Sequence, residues 1–297
     1  VSSRLRVDLP GAPGVYRFRD GGGRVLYIGR ATNLRSRVGS YWGDLKDRRH
    51  LRRMVPQVER VEAVVCASVH EAAWLERNLL ERSKPRWNRI RGGMEVPFSI
   101  RVSPSKVELV HWRPGTEAGE HFGPYLGGTQ ARLAVSGLER MLPLRYTDER
   151  LDGGLRDLAR IRGVRPEDRD AMRATITAVL RREAGAIEAV RVGLALLRDR
   201  ASGNLAFELA GRIQQEIEAL DWIVAEQRVT LLSRAPDLDI YGYADGLLVR
   251  FQVRGGRLDR WEQRAGSLAS ARRYLDRTPP EWFEFATRNA ELARLLN

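Results

Sequence analysis

The strongest constraint on this chain is the stretch PGVYRFRDGGGRVLYIGR, residues 13–30. Val15-Tyr16-Arg17-Phe18 and Val25-Leu26-Tyr27-Ile28 are β-branched and aromatic runs, and Asp20-Gly21-Gly22-Gly23 between them forms turns. That pattern predicts a β-hairpin. Side chains alternate along a strand, so Tyr16 and Phe18 share one face, as do Val25 and Tyr27 on the second strand. A turn centred near Gly21-Gly22 sets Tyr16 opposite Tyr27 and Phe18 opposite Val25, which makes the two phenols neighbours. A one-residue slip sends them to opposite faces. Two tyrosines in an ordinary hairpin is the plain reading of these residues taken alone.

The segment that follows, ATNLRSRVGSYW, places Asn33 as a capping residue ahead of a helical run. Leu34, Val38, Tyr41 and Trp42 recur at helical spacing. Arg37 lies one step off that stripe and four residues before Tyr41, so the two share a side of the helix. Arg30 ends the preceding strand. Two guanidinium groups and a phenol are thereby aimed at one place.

A second helix is predicted in SVHEAAWLERNLLERSKPRWN, residues 68–88. Its apolar stripe is Ala72, Ala73, Leu75, Leu79 and Leu80, with Arg77, Asn78, Glu81 and Arg82 on the other sides. Glu76 projects from the middle of the stripe. A carboxylate on an apolar face is costly unless its charge is satisfied. A buried salt bridge to an arginine satisfies it. So does a divalent cation held by one carboxylate, water and substrate phosphate, which is how Mg²⁺ binds. Pro85 stops the helix, and Asn88 follows in a loop.

No one of these elements is specific alone, but in this order they are. The chain resembles the GIY-YIG nucleases, and within them the N-terminal nuclease domain of the UvrC excinucleases. Gly14-Val15-Tyr16 stands for the GIY element and Tyr27-Ile28-Gly29 for the YIG element. IGRATNLRSRVGSYW is similar to the UvrC stretch that follows, and LERNLLERSKPRWN to its metal-binding helix and terminal asparagine. The likeness spans residues 10 to about 90. It implies hydrolysis of a DNA phosphodiester with one divalent ion, Mg²⁺ or Mn²⁺. Carried over by residue, Glu76 holds the metal, and Tyr27 acts as or positions the general base. Tyr16, Arg37 and Tyr41 line the scissile phosphate, and Asn88 completes the pocket. UvrC proteins usually carry lysine where this chain has Arg30. Arginine can depress a phenol pKa but does not itself accept a proton, which leaves the proton route open.

The formal charge of +13, carried mainly by arginine, suits a polyanionic partner, here double-stranded DNA. A genome that encodes arginine freely is the plain alternative. Cys66 is the lone cysteine, which excludes a disulfide framework and the iron–sulfur cluster that many UvrC proteins carry after the nuclease. No apolar run approaches the roughly 18 residues of a membrane span, and the N-terminus has no secretory signature. The default expectation is a cytoplasmic protein.

Beyond the nuclease, residues 91–98 read as a linker. FSIRVSPSKVELVHWRPG predicts two strands, and HFGPYLGGTQARLAVSGLERMLPLR predicts a turn at Gly123-Pro124 leading into a helix. "HFGPY" is similar to the "YFGPY" typical of UvrC at this point. Residues 168–227 have a helical period broken at DRASGN, 199–204, which predicts an αα-hairpin. NLAFELAGRIQQEIEALDWI is similar to the motif through which UvrC meets the helicase UvrB, with Gln214-Gln215 replacing its usual Arg-Asp pair. Simple packing is the competing explanation. LDIYGYADGLLVRFQVRGGRLDRWEQR predicts two or three strands turning at Gly246 and Gly255-Gly256, with a helix after them.

The expected fold class is α/β (α+β) and multi-domain. A GIY-YIG nuclease domain with a small mixed or antiparallel sheet flanked by helices spans 1–92. An α+β connector spans 93–150, a helical region with the partner hairpin at 204–222 spans 151–230, and a β-hairpin plus helix spans 231–297. The likeness is to short, single-nuclease UvrC homologues of the Cho type, without the RNase H-like and helix-hairpin-helix domains. Three functions compete. The first, a lesion- or structure-directed endonuclease of excision repair, is favoured. The UvrB-type and "HFGPY" segments argue against cleavage in recombination or by mobile elements. The intact Tyr16, Tyr27, Arg37, Tyr41 and Glu76 set argues against a non-catalytic DNA- or UvrB-binding module.

Overall fold

The computed structural model describes residues 8–43, 45–88, 95–113, 120–227 and 237–297. In chain order, the first elements are β1 (Gly14–Arg19), β2 (Val25–Ala31), α1 (Leu34–Gly39), β3 (Arg60–Val65) and α2 (Val69–Ser83). Next come β4 (Pro97–Ser103), β5 (Lys106–His111), β6 (His121–Leu126), α3 (Gly128–Met141), α4 (Gly153–Ile161), α5 (Arg169–Leu180), α6 (Ala184–Gly203) and α7 (Phe207–Val224). The last are β7 (Leu238–Ala244), β8 (Leu247–Arg254), β9 (Arg257–Ala265), α8 (Leu268–Leu275) and α9 (Pro280–Leu296). The fold is α+β, and its three sheets are antiparallel.

The four segments expected from the sequence group into two compact units. One joins Val1–Glu95 with Glu226–Asn297, and the other is Val96–Ala225. The discontinuous unit contains the sheet β2-β1-β3 and the sheet β7-β8-β9. Val15, Ile28 and Val64 from the first sheet share one apolar core with Phe251, Leu258 and Trp261 from the second, and with Leu75 of α2 and Phe285 of α9. The C-terminal strands and helix therefore complete the nuclease-like half rather than trailing it. Residues of α2 off its apolar stripe also join this contact. Asn78 Nδ2 donates to the Leu258 carbonyl at 3.4 Å, and Arg82 pairs with Asp259.

The first sheet leaves β2 and β3 as its edges, and an asparagine amide seals each. Asn88 Nδ2 donates to the Ile28 carbonyl at 2.8 Å, and Asn88 Oδ1 accepts from Ile28 N at 3.1 Å. Asn289 of α9 repeats the pattern on Val65, at 3.0 and 2.8 Å. A side-chain amide offers the donor and acceptor that a further strand would have supplied, and so blunts an exposed edge.

In the second unit, β5-β4-β6 is covered by α3, and α6 and α7 form a helical hairpin against α3. Two details differ from expectation. His121–Leu126 is a strand paired to β4, because it supplies that sheet's second edge, and α3 starts only at Gly128. The hairpin break falls at 204–206 rather than within 199–204, since α6 runs through Gly203 and Leu205 adopts φ 60°. Of the linker expected at 91–98, residues 91–94 lie outside the described residues.

Candidate active site

Tyr16 and Tyr27 do share a face, but not as direct partners. Tyr16 lies opposite Gly29 and Phe18 opposite Tyr27, two residues from the expected register. The turn is longer than a two-residue loop: Gly23 N donates to the Asp20 carbonyl at 2.9 Å, and Asp20 N to the Arg24 carbonyl at 3.0 Å. That turn accounts for one residue of the difference, and a bulge after Phe18 for the other. A shift of two keeps every side chain on its face, so the phenols remain diagonal neighbours with ring centroids 6.3 Å apart. This register explains the glycine that follows Tyr27-Ile28. A Cβ at position 29 would lie 2.6 Å from Tyr16 Cζ, so only glycine lets the Tyr16 ring lie across β2.

Asn33 caps α1 by accepting from Ser36 N at 3.0 Å, as its sequence position implies. The helix ends at Gly39, and the following turn carries Tyr41 back over the sheet. Tyr41 Oη and Tyr16 Oη are 2.7 Å apart, and the Tyr41 and Tyr27 rings are 5.8 Å apart. The Arg37 guanidinium stands 5.9 Å from the Tyr41 ring centroid, and its charge bears on the Tyr16 phenol. Tyr16, Tyr27, Tyr41 and Arg37 thus form one cluster.

Glu76 reaches the same cluster from α2. Its Oε1 accepts from the backbone N of Arg30 at 3.2 Å, and its Oε2 lies 3.4 Å from Arg30 Nε. The Arg30 guanidinium also spans Glu95, at 2.9 and 3.2 Å. Both arrangements considered for Glu76 therefore bear on it: it has an arginine partner, and it borders the phenols. Burial raises its pKa above the ordinary carboxylate range, Glu95 adds to the rise, and Arg30 and Arg37 oppose it. Burial likewise pushes the Tyr16, Tyr27 and Tyr41 phenols up, with Arg37 opposing in each case. Glu76 itself contributes to the rise at Tyr27, so the carboxylate and the phenol sense each other's charge.

Among the described residues no group of three or more His, Cys, Asp or Glu side chains could enclose a metal ion. The donor set is wrong for structural zinc. A single half-buried carboxylate beside one arginine suits a hard ion that keeps most of its own water.

With this geometry in place, the family comparison bears on one stretch of the chain. Residues 12–89 match the UvrC-like GIY-YIG domain. That stretch is similar to the nuclease domain of UvrC proteins. Over 273 residues the chain is 31% identical to UvrABC system protein C of Corynebacterium aurimucosum, covering 84% of this chain and 39% of that protein. Over 278 residues it is 30% identical to the same protein of Synechococcus elongatus, covering 87% and 42%. The chain thus spans about two fifths of the length of these curated relatives. The GIY-YIG N-terminal endonuclease domain of UvrC from Thermotoga maritima, bound to its catalytic magnesium, is 30% identical and covers 30% of this chain and 99% of its own. That superposition has a TM-score of 0.27, too low to bear on the fold.

Within the GIY-YIG domain, the structure brings six of the seven residues singled out from the sequence into one connected set. Asn88 is the exception: its amide is committed to Ile28, next to Tyr27, so it positions β2. Sequence reasoning missed Glu95, which lies past the helix in an irregular stretch with no pattern to mark it. The glycine at 29 carried a signal, since a glycine inside a strand commonly marks a close approach.

Proposed function

We propose that the chain is a metal-dependent DNA endonuclease that hydrolyses a phosphodiester at damaged or structured DNA, in nucleotide excision repair. The supporting observation is the convergence of Tyr16, Tyr27, Tyr41 and Arg37 on the carboxylate of Glu76. A divalent Mg²⁺ or Mn²⁺ held by Glu76 would supply positive charge to the scissile phosphate and its attacking water. Arg37 adds a fixed cation for the charge that develops on the non-bridging oxygens. Tyr16 and Tyr41 fix each other's hydroxyls and so present oriented dipoles toward the same oxygens. Tyr27 positions the attacking water and accepts its proton only when nearby positive charge offsets the burial that keeps the phenol protonated. Arg30 holds Glu76 in place through its backbone N–H and guanidinium.

The direct test incubates the purified chain with nicked, bubble and bulky-adduct duplexes, with Mg²⁺ or Mn²⁺, with and without UvrB. Cleavage of none of them under any of these conditions overturns the proposal. Arg37→Ala is expected to slow single-turnover cleavage by about 10²–10³-fold with little change in DNA affinity. Weakened binding at an unchanged rate would demote Arg37 to a backbone contact.

The α6–α7 hairpin is proposed as the UvrB contact. Ala210, Ile213, Ile217 and Leu220 are packed inside their own unit, whereas Leu205 and Phe207 at the hairpin tip are 74% and 64% exposed. Phe207→Ala is therefore expected to change stability by no more than about 0.5 kcal/mol while weakening capture by immobilised UvrB. A large drop in melting temperature, or undiminished capture, would count against this contact.

A further inference from the structure

The sheet β7-β8-β9 has two dissimilar faces. Ile240, Val249, Phe251 and Trp261 point into the core shared with α2 and α9. Tyr241 and Leu248 point the other way and are covered by α8 through Ala271 and Tyr274. Four arginines crowd this outer side: Arg264 at the end of β9, Arg272 and Arg273 on α8, and Arg277 just beyond it. All four are exposed. The guanidinium carbons of Arg264, Arg273 and Arg277 stand 4.6, 4.7 and 5.9 Å from the centroid of the Tyr274 ring. Arg273 Nη2 donates to Tyr274 Oη at 2.9 Å.

The arrangement differs from the rest of the same sheet. Arg250 and Arg254 are tied to Asp239, and Arg82 of α2 is tied to Asp259. Among the described residues none of the four outer arginines makes such a pair. Asp276 is the lone carboxylate between residues 264 and 277. Three cations around one ring repel each other, and the ring's negative face offsets only part of that repulsion. The positive charge on Arg264 and Arg273 also lowers the Tyr274 phenol pKa through hydrogen bonds. The platform beneath is firm. Tyr274 packs on Tyr241 with centroids 5.1 Å apart, Ala271 is fully buried, and Ser267 caps α8. Held guanidinium forks facing solvent, with no carboxylate to occupy them, suit the phosphates of a polyanion.

We propose that this outer face, built by Arg264, Arg272, Arg273 and Arg277 around Tyr274, is a second contact surface for duplex DNA. It seats the phosphate backbone away from the cleaved bond and adds affinity without reading bases. The proposal rests on DNA being the substrate, but its test is independent of cleavage.

The test measures duplex affinity by fluorescence anisotropy across a salt series, without divalent metal. The triple variant R264A/R273A/R277A is expected to bind on the order of tenfold or more weakly and to lower the slope of log affinity against log salt by about 2 to 3. R264K/R273K/R277K should retain most of that slope. R272E, which leaves the Tyr274 cluster untouched, should weaken binding by itself and serves if the triple variant is unstable. A slope unchanged in both the triple variant and R272E overturns the proposal. So does loss of binding only to an acidic polypeptide such as poly-glutamate, or no duplex binding by the unaltered chain. If the unaltered chain binds duplex through these arginines yet never cuts, the nuclease reading fails and this one stands.

Discussion

Glu76→Gln is expected to abolish cleavage, by at least about 10³-fold, while sparing most DNA affinity. The substituted amide keeps the shape and one carbonyl oxygen but removes the charge that a divalent ion needs. The same substitution has a readout that does not depend on activity. Burial raises the pKa of Glu76 in the folded chain. A carboxyl with a raised folded pKa contributes stability below its unfolded pKa and loses it as pH rises through the folded value. At neutral pH and without metal, the charged Glu76 therefore destabilises the fold, and Glu76→Gln should melt at a higher temperature than the native chain. The gap should close on acidification toward the ordinary carboxylate range. Addition of Mg²⁺ should raise the melting temperature of the native chain alone. Near-native cleavage by Glu76→Gln, or equal Mg²⁺ stabilisation of both proteins, would remove Glu76 from the metal site.

Tyr27→Phe should lower the single-turnover rate by about 10²–10⁴-fold with little effect on affinity. It deletes one hydroxyl from a ring packed 6.1 Å from Phe18, so the apolar contacts survive. Its phenol is held protonated by burial, by Tyr41 and by Glu76, and Arg37 opposes them. The proton step is consequently sensitive to local positive charge, and Tyr27→Phe should flatten the pH dependence of the rate as well as depress it. A normal rate with a normal pH profile would show that the water is activated without Tyr27.

Much of the candidate site was legible because its signals are local. A turn between two aromatic strands, a capping Asn33 and a carboxylate on an apolar helical stripe each follow from neighbours within a few residues. The hairpin register was not legible to the residue, since the turn closes one residue later than expected and a bulge after Phe18 adds a second, a total of two that leaves each side chain on its face. The commitment of Asn88 to Ile28 could not be read either, because strand-edge satisfaction depends on backbone geometry 60 residues away. The largest difference lies in the C-terminal strands. Asn78 and Arg82 lie off the apolar stripe of their helix, yet they meet Leu258 and Asp259 across 180 and 177 positions of chain. Polar contacts of that range leave no periodic trace in either partner.

The asparagine that seals β3 has a consequence for how the protein is made. Asn289 and Val65 are 224 residues apart. At ribosomal speeds of about 5–20 residues per second, roughly 10–45 s separate synthesis of the two partners. During that interval the intervening unit can fold, while β3 waits with an open edge and α2 with an uncovered flank. A nascent or prematurely terminated chain would carry every side chain of the candidate site on an unfinished scaffold. Completion of that half of the fold would then wait on synthesis through Asn289.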